Sequence, residues 1–388
     1  MTPLKILHFA DAHIDANQSG RWDPETGMPV RVMDSLKSLD TIVDTAIEEK
    51  VDLVLFAGDA YKDRNPTPQY QAAFASRILR LEQAEIQTFL LVGNHDMGAS
   101  SHAHALTEFV TFQPNFIQVV GDIYLHKSEA FDMVCLPWIH KSHLRMGEVI
   151  RQLEELIEKM NPDTPNIFLG HCSVIGAEFS SERLIMLGED LMVPRKLLTE
   201  SDFDYVALGH IHKPQDLNEG NLPPVIYPGS VERVDWGEAG EEKGFYIVEV
   251  SENETTLDWR KLDTRPMLDY KVLLESKEDI YETIYREMDK IDDGNMWKDD
   301  PGVMIRIKLQ YPEQWAALIN NQTIEHMFPD AFSVQIVQDP IREGRTRLDL
   351  DQDVAAYAPG ELLQMWMGEK GIEDQEELMQ LSRTIIGG

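Results

Sequence analysis

At 388 residues the chain is longer than one small domain needs, so two domains and a tail are expected, and a hydrophobic fraction of 43% fits an ordinary soluble protein. A formal net charge of −33, from 68 acidic against 35 basic residues, argues against unaided binding of nucleic acid, because the field of the whole chain repels phosphates. No apolar run approaches the roughly 20 residues that span a bilayer, so no membrane association is expected. The run Leu4–Ala10 follows the N-terminus without a charged leader, which predicts no signal peptide. Cys135 and Cys172 are the only cysteines, which predicts no disulfide framework and a reducing cytoplasm.

In chain order, short apolar runs at Leu4–Ala10, Asp52–Ala57, Gln87–Val92, Met133–Trp138, Asn166–Leu169 and Tyr205–Leu208 read as buried strands. Between the first two, residues 34–50 place Leu36, Leu39, Ile42, Val43, Ala46 and Ile47 on one helical face. A second helical segment, 69–84, carries Phe74, Ile78, Leu79 and Leu81. This β-α-β-α-β order predicts parallel strands with right-handed crossovers. Runs at 225–227, 244–250 and 256–262 suggest a second sheet packed on the first. Past Asp263–Pro266 the pattern becomes a compact β-α-β-α-β unit, with strands over 269–274, 303–310 and 332–337 and helices over 280–291 and 312–328. An acidic, Met-rich tail from Arg342 predicts short helices over 360–367 and 374–386. The expected organisation is an α/β domain over 1–262, a small α+β domain over 263–341 and a helical tail over 342–388.

Five short motifs stand where apolar runs end: Asp11-Ala12-His13, Gly58-Asp59, Gly93-Asn94-His95-Asp96, Gly170-His171 and Gly209-His210-Ile211-His212. Loops at the carboxyl ends of parallel strands meet on one rim, where open α/β sheets bind ligands. Carboxylate, imidazole and amide oxygen without thiolate suit Mn²⁺, Fe²⁺ or Zn²⁺ and argue against a structural zinc site. Seven such side chains are too many for one ion. Two ions sharing an Asp, about 3.5–4 Å apart, are the usual device for in-line displacement at phosphorus.

This order of motifs resembles the calcineurin-like metallophosphoesterase superfamily. The resemblance implies a four-layer α/β/β/α sandwich, with Asp11, His13, Asp59 and His212 holding one metal. Asp59, Asn94, His171 and His210 would hold the other. It implies His95 beside the scissile phosphate as general acid or transition-state stabiliser, oriented by Asp96. A narrower likeness rests on Phe9-Ala10-Asp11-Ala12-His13, on Ala57-Gly58-Asp59 followed by Asn65-Pro66-Thr67-Pro68, and on Val92-Gly93-Asn94-His95-Asp96. Tyr227-Pro228-Gly229-Ser230-Val231-Glu232-Arg233, leading to Glu242-Lys243-Gly244-Phe245, adds to it. These segments resemble SbcD-type nuclease subunits. That likeness implies a Mn²⁺-dependent DNA exo- and endonuclease acting at double-strand breaks with an SbcC-like (Rad-type) coiled-coil ATPase, a DNA-facing cap after the core, and a homodimer joined through helices near 69–84 and 100–112. One departure is that Ala60-Tyr61-Lys62-Asp63 carries no His where many relatives have one.

Other residues carry weaker signals. Arg21, Trp22 and Arg31, in the loop after His13, together with Lys62, offer cations and an aromatic ring for phosphate and base. Arg342, Arg345 and Arg347 form a basic cluster, and the tail carries apolar faces suited to docking on the ATPase or packing on the cap. Cys172 follows a metal-capable His but reads as a small core residue. Two rival readings remain: a phosphoprotein phosphatase or small-molecule phosphodiesterase, which the acidity favours, and a partner-binding scaffold without catalysis, against which the intact ligand set and His95 argue.

Overall fold

The computed structural model describes residues 3–16, 20–98, 104–140, 145–180, 191–251, 254–291, 302–341, 359–369 and 378. Two compact units emerge. The first holds residues 1–269 with 300–305 and 330–333, and the second holds 270–299, 306–329 and 334–388.

In the first unit, the elements run β1 (Leu4–Phe9), α1 (Val30–Glu48), β2 (Leu53–Phe56), α2 (Pro68–Gln83), β3 (Gln87–Leu91), α3 (Thr107–Phe112), β4 (Ile117–Val120), β5 (Tyr124–Lys127) and β6 (Asp132–Leu136). Then come α4 (Met146–Ile157), β7 (Asn166–His171), β8 (Ser173–Val174), β9 (Met192–Val193), α5 (Arg195–Thr199), β10 (Tyr205–Gly209), β11 (Gln215–Asp216), β12 (Val225–Tyr227), β13 (Gly244–Val250) and β14 (Thr255–Lys261). One sheet has the order β14-β13-β1-β2-β3-β4, the other β11-β12-β10-β7-β6-β5. Neighbours among β1 to β4 pair in parallel, as do β6, β7, β10 and β12 in the second sheet.

The pleat decides the layering, because successive side chains leave a strand on opposite faces. Leu4 and Ile6 of β1, Leu53 and Leu55 of β2 and Phe89 of β3 meet Met133, Cys135, Ile167, Leu169 and Ala207 of the other sheet in one buried cluster. The alternate residues Leu7, Phe9, Val54, Phe56 and Leu90 pack on Leu39, Val43, Phe74 and Ile78 of α1 and α2. On the far side Val134, Phe168, Val206 and Leu208 pack on Val149 and Leu153 of α4. The fold is therefore a four-layer α/β/β/α sandwich. Several elements lie outside the sequence expectation: the short β4, β5, β8, β9, α5 and β11, and α4, which turns Val149 and Leu153 into the core with Leu156 and Ile157 half-buried beside them.

His8 shares a face with Ile6 and meets the Tyr205 hydroxyl of the second sheet at 2.7 Å. Burial pushes its pKa down to about 3, against a backbone hydrogen bond at Leu208. The unfolded chain therefore takes up a proton below about pH 6.5 that the folded chain refuses. Stability from this group is complete above that pH and falls as pH drops towards about 3, by at most roughly 1.4 kcal/mol per pH unit. Urea unfolding across this range should show the slope, and His8→Gln should flatten it while leaving Tyr205 a partner.

The remaining strands β15 (Met267–Leu273), β16 (Met304–Pro312) and β17 (Ser333–Ile341) form a sheet of order β15-β16-β17. Within the second unit Ile307, Leu309 and Tyr311 alternate as buried positions, and Ile284 and Met288 are buried one turn apart on α6 (Ile280–Ile291). The single helix expected over 312–328 is instead a 3-10 segment, Glu313–Leu318, and a short helix α7, Asn321–Glu325. Asn320 explains the break, because its side chain accepts the amides of Gln322 and Thr323 and starts a new helix. In the tail α8 covers Pro359–Glu369. Arg342, Arg345, Arg347 and most of the 374–386 segment lie outside the described residues. Among the described residues no helix is long and apolar enough to cross a membrane.

Candidate metal centre

Each chemistry-bearing motif begins where a strand of one parallel set ends. Asp11 and His13 follow β1, Asp59 follows β2, and Asn94 and His95 follow β3. His171 closes β7 and His210 and His212 follow β10, so both sheets deliver their carboxyl ends to one place. The backbone there is tightly turned. Asp11, His13, Asp59 and His210 all have positive φ, at 53°, 38°, 62° and 98°. A non-glycine residue in this region costs on the order of 1–3 kcal/mol and persists only where surrounding contacts over-determine it. Here they do: Asp11 N donates to Gly58 O and His13 N to Asp59 O. The His210 amide is held by the Asp11 carboxylate at 3.0 Å.

Asp96 supplies much of the remaining restraint. Its buried carboxylate accepts the amides of Asp59 (2.9 Å), Ala60 (3.0 Å), Tyr61 (3.3 Å) and Gly93 (3.1 Å). The expectation that Asp96 orients the His95 ring is thus corrected, since all its oxygens' hydrogen bonds go to backbone amides of the two motif loops. His95 is oriented by the Lys62 carbonyl, 2.9 Å from its Nδ1. Lys62 is in turn fixed by Asp15, whose carboxylate accepts the Lys62 amide in a very close contact and the Asp63 amide at 3.1 Å.

The glycines in the motifs are needed for close approach. A Cβ on Gly93 would come 2.1 Å from Asp59 Oδ1, and one on Gly209 would come 2.1 Å from the Ala57 carbonyl. Gly93→Ala is expected to push the Asp59 carboxylate out of place and to destabilise the fold by about 1–3 kcal/mol. Urea unfolding and a Mn²⁺ titration of the same sample would check both effects.

The side chains then form two overlapping groups. Ligand-capable atoms of Asp11, His13 and His212 lie within 4.8 Å of one another, as do those of Asp11, Asp59 and His171. Asp59 Oδ2 is 3.5 Å from both His13 Nε2 and His171 Nε2, which places it between the groups. Asn94 Oδ1 is 2.9 Å from His171 Nε2 and from His210 Nδ1. All seven expected ligands are brought together.

The donor chemistry fits divalent ions. His171 Nδ1 faces the Ala57 carbonyl at 2.6 Å and carries a proton, so the neutral ring has its lone pair on Nε2, aimed at Asp59 and Asn94. His13 Nδ1 faces the Tyr61 carbonyl and His212 Nδ1 the Glu238 carboxylate, so their Nε2 lone pairs confront each other at 3.1 Å. Lone pairs aimed at lone pairs and carboxylates repel unless a cation lies among them. The charges show the same strain. Burial pushes Asp11 up to about 7 despite the pull of His171 and His212, and burial drives His13 well below the usual imidazole range. Burial opposes a charge on His171, yet Asp59 beside it raises its pKa to about 9. Bound cations would restore the acids' charges and hold the rings neutral.

The candidate substrate contacts are arranged differently. Arg31 is 3% exposed, paired with Asp34 and Glu232 and bonded to the Arg233 carbonyl. Arg21 donates to the Ala331 carbonyl and lies 5.4 Å from the centroid of the Phe332 ring. Trp22 is exposed, its backbone bridged to Pro29. Lys62 acts through its backbone on His95. Cys172 is buried. Asp15, Glu238 and Lys243 were missed by the sequence reading. The Asp11-x-His13-x-Asp15 alternation could have shown the first, whereas Glu238 and Lys243 follow His212 by 26 and 31 residues with no local pattern.

A two-sheet sandwich whose parallel strand ends converge on paired carboxylate and imidazole clusters defines a dimetal-type hydrolytic scaffold. Residues 4–214, more than half of the chain, match the calcineurin-like phosphoesterase family, and the chain belongs to that family. It is similar to the uncharacterized metallophosphoesterase YhaO of Bacillus subtilis (strain 168), with 25% identity over 274 residues that cover 67% of this chain and 61% of that protein. The chain thus matches about three-fifths of the relative's length. Among solved structures it is similar to a dimetal phosphatase from Danio rerio, with 12% identity, a TM-score of 0.44, and coverage of 66% of this chain and 96% of the other. The protein TT1561 of Thermus thermophilus gives 14% identity, a TM-score of 0.41, and coverage of 66% and 99%.

Proposed function

We propose that the chain is a two-metal phosphodiesterase that hydrolyses DNA, with Mn²⁺ as its working ion and a coiled-coil ATPase of the SbcC kind as its partner. The observation that carries the chemistry is Asp59, set 3.5 Å from His13 Nε2 of one ligand group and 3.5 Å from His171 Nε2 of the other. Asp11, His13, Asp59 and His212 would hold one ion and Asp59, Asn94, His171 and His210 the other. When bound, such a pair supplies positive charge to the phosphoryl oxygens and a source of hydroxide near neutral pH. The chain's own residues do the rest. His95 is anchored at both ends: its amide donates to Asp59 Oδ1 at 2.8 Å, and its Nδ1 proton goes to the Lys62 carbonyl. That leaves Nε2 to face the substrate, and in its cationic form it would donate a proton to the departing oxygen.

The DNA assignment rests on the segments 227–233 and 242–245, which resemble SbcD-type subunits, and on the β-α-β-α-β region after the core. A homodimer joined through the helices of the first sheet's outer layer belongs to the same reading. The charge of −33 favours a second reading, a phosphoprotein phosphatase or small-molecule phosphodiesterase. Under the DNA reading, that charge means a partner must bring the DNA.

Incubation with Mn²⁺ and end-labelled duplex or single-stranded DNA, with and without the ATPase, separates the two. The proposal expects cleavage that falls about 10²–10⁴-fold in His95→Ala. No cleavage under any condition, with a phosphoprotein turned over instead, would establish the second reading.

A further inference from the structure

The family match ends at residue 214, yet the hold on one metal-capable histidine lies beyond it. His212 Nδ1 meets Glu238 Oε1 at 2.8 Å, and both side chains are buried. The other Glu238 oxygen accepts from Lys243 Nζ (2.7 Å), Ser230 Oγ (3.1 Å) and Val234 N (3.2 Å). Lys243, also fully buried, reaches the His212 carbonyl at 3.0 Å and Glu241 at 2.9 Å. His212 is therefore gripped twice, at its ring by Glu238 and at its backbone by Lys243. The contrast with two other rings is chemical, because His171 and His13 lean on the neutral carbonyls of Ala57 and Tyr61. A carboxylate behind an imidazole fixes its tautomer and raises its basicity as a ligand more than a carbonyl does.

We infer that Glu238, held in place by Lys243, is a positioning residue that makes the Asp11–His13–His212 site the tighter of the two metal sites. This rests on the two-metal reading of the centre. Filling is then ordered: the ion among Asp11, His13 and His212 enters first, and the ion beside His171, His210 and Asn94 follows at higher concentration. The buried Lys243 keeps Glu238 from leaving a net negative charge in the core, so the carboxylate can act on His212 without a second acid's repulsion.

The test is a Mn²⁺ titration of the metal-free full chain, followed by calorimetry and by the electron paramagnetic resonance of free Mn²⁺. Wild type should show two unequal steps. Glu238→Gln, which keeps the reach but loses the charge, should weaken the tighter step about 10–100-fold and leave the weaker one in place. Glu238→Asp, which keeps a charge for Lys243 but falls short of His212, should do the same, and it decides the matter if the Gln variant does not fold. A role exercised through His212 also predicts that Glu238→Gln adds no further loss in a His212→Ala background. Two unequal steps unchanged in both variants, or a fully additive loss, would overturn the inference alone. Absence of metal uptake by the wild-type chain would sink the two-metal reading and this inference with it.

Discussion

Asp59→Asn is expected to lower the affinity of the chain for divalent ions by about 10²–10⁴-fold and to abolish phosphodiester hydrolysis at micromolar Mn²⁺. Asp59 is fully buried and equidistant, at 3.5 Å, from ring nitrogens of both ligand groups. The pull of His171 and other nearby rings, against the penalty of burial, holds its carboxyl well below the usual range, so it is ionised at any working pH. Asparagine keeps the shape and removes that charge from a desolvated cluster that must offset two divalent ions. Truncating one member of a buried charge pair costs about 3–5 kcal/mol, and at 1.4 kcal/mol per decade that gives the stated range. Asp59 Oδ1 also accepts the His95 amide, so Asn should disturb the acid as well as the ions. Equilibrium dialysis against Mn²⁺ checks the first effect, and hydrolysis of bis-p-nitrophenyl phosphate checks the second. An unchanged affinity would remove Asp59 from its place between the ions.

The largest stability effect should come from Lys243→Met. Lys243 and Glu238 are each 0% exposed and sit 2.7 Å apart. Burial disfavours the Glu238 charge, but His212 and Lys243 together hold its pKa far below the normal range. Methionine fills much of the lysine's volume yet takes from Glu238 the buried cation 2.7 Å away, which costs about 3–5 kcal/mol. Glu238→Gln combined with Lys243→Met removes both charges and should recover most of that loss. Urea unfolding of the metal-free proteins checks this, with an additive double variant as the contrary result.

Much of the centre is legible in the sequence because each ligand follows directly on an apolar run. Phe9 and Ala10 are core residues, and Asp11 is the next residue; Leu208 and Gly209 lead to His210 in the same way. A strand end makes local sequence and spatial position coincide. Where position depends on tertiary pairing, the sequence is silent. β13 lies beside β1 by antiparallel register, Ile6 opposite Val248, and this long-range pairing has no local signal. Glu238 and Lys243 reach His212 only because the chain returns after β12. Asp96 is informative in another way. Adjacency to His95 suggested that it served that ring, but a buried carboxylate beside several free amides takes the amides. The helix expected over 312–328 failed at Asn320, where a local cap outweighed apolar spacing.

Asp11, His13, Asp59, Asn94, His171, His210 and His212 are expected to act as one hydrolytic centre for two divalent ions. The most direct test measures hydrolysis of bis-p-nitrophenyl phosphate by the metal-stripped full chain as Mn²⁺ is added, alongside the metal bound per chain. Activity should be absent without metal, appear only as the second equivalent binds, and be lost in Asp59→Asn. Full activity in the stripped protein, or saturation at one equivalent, would contradict it.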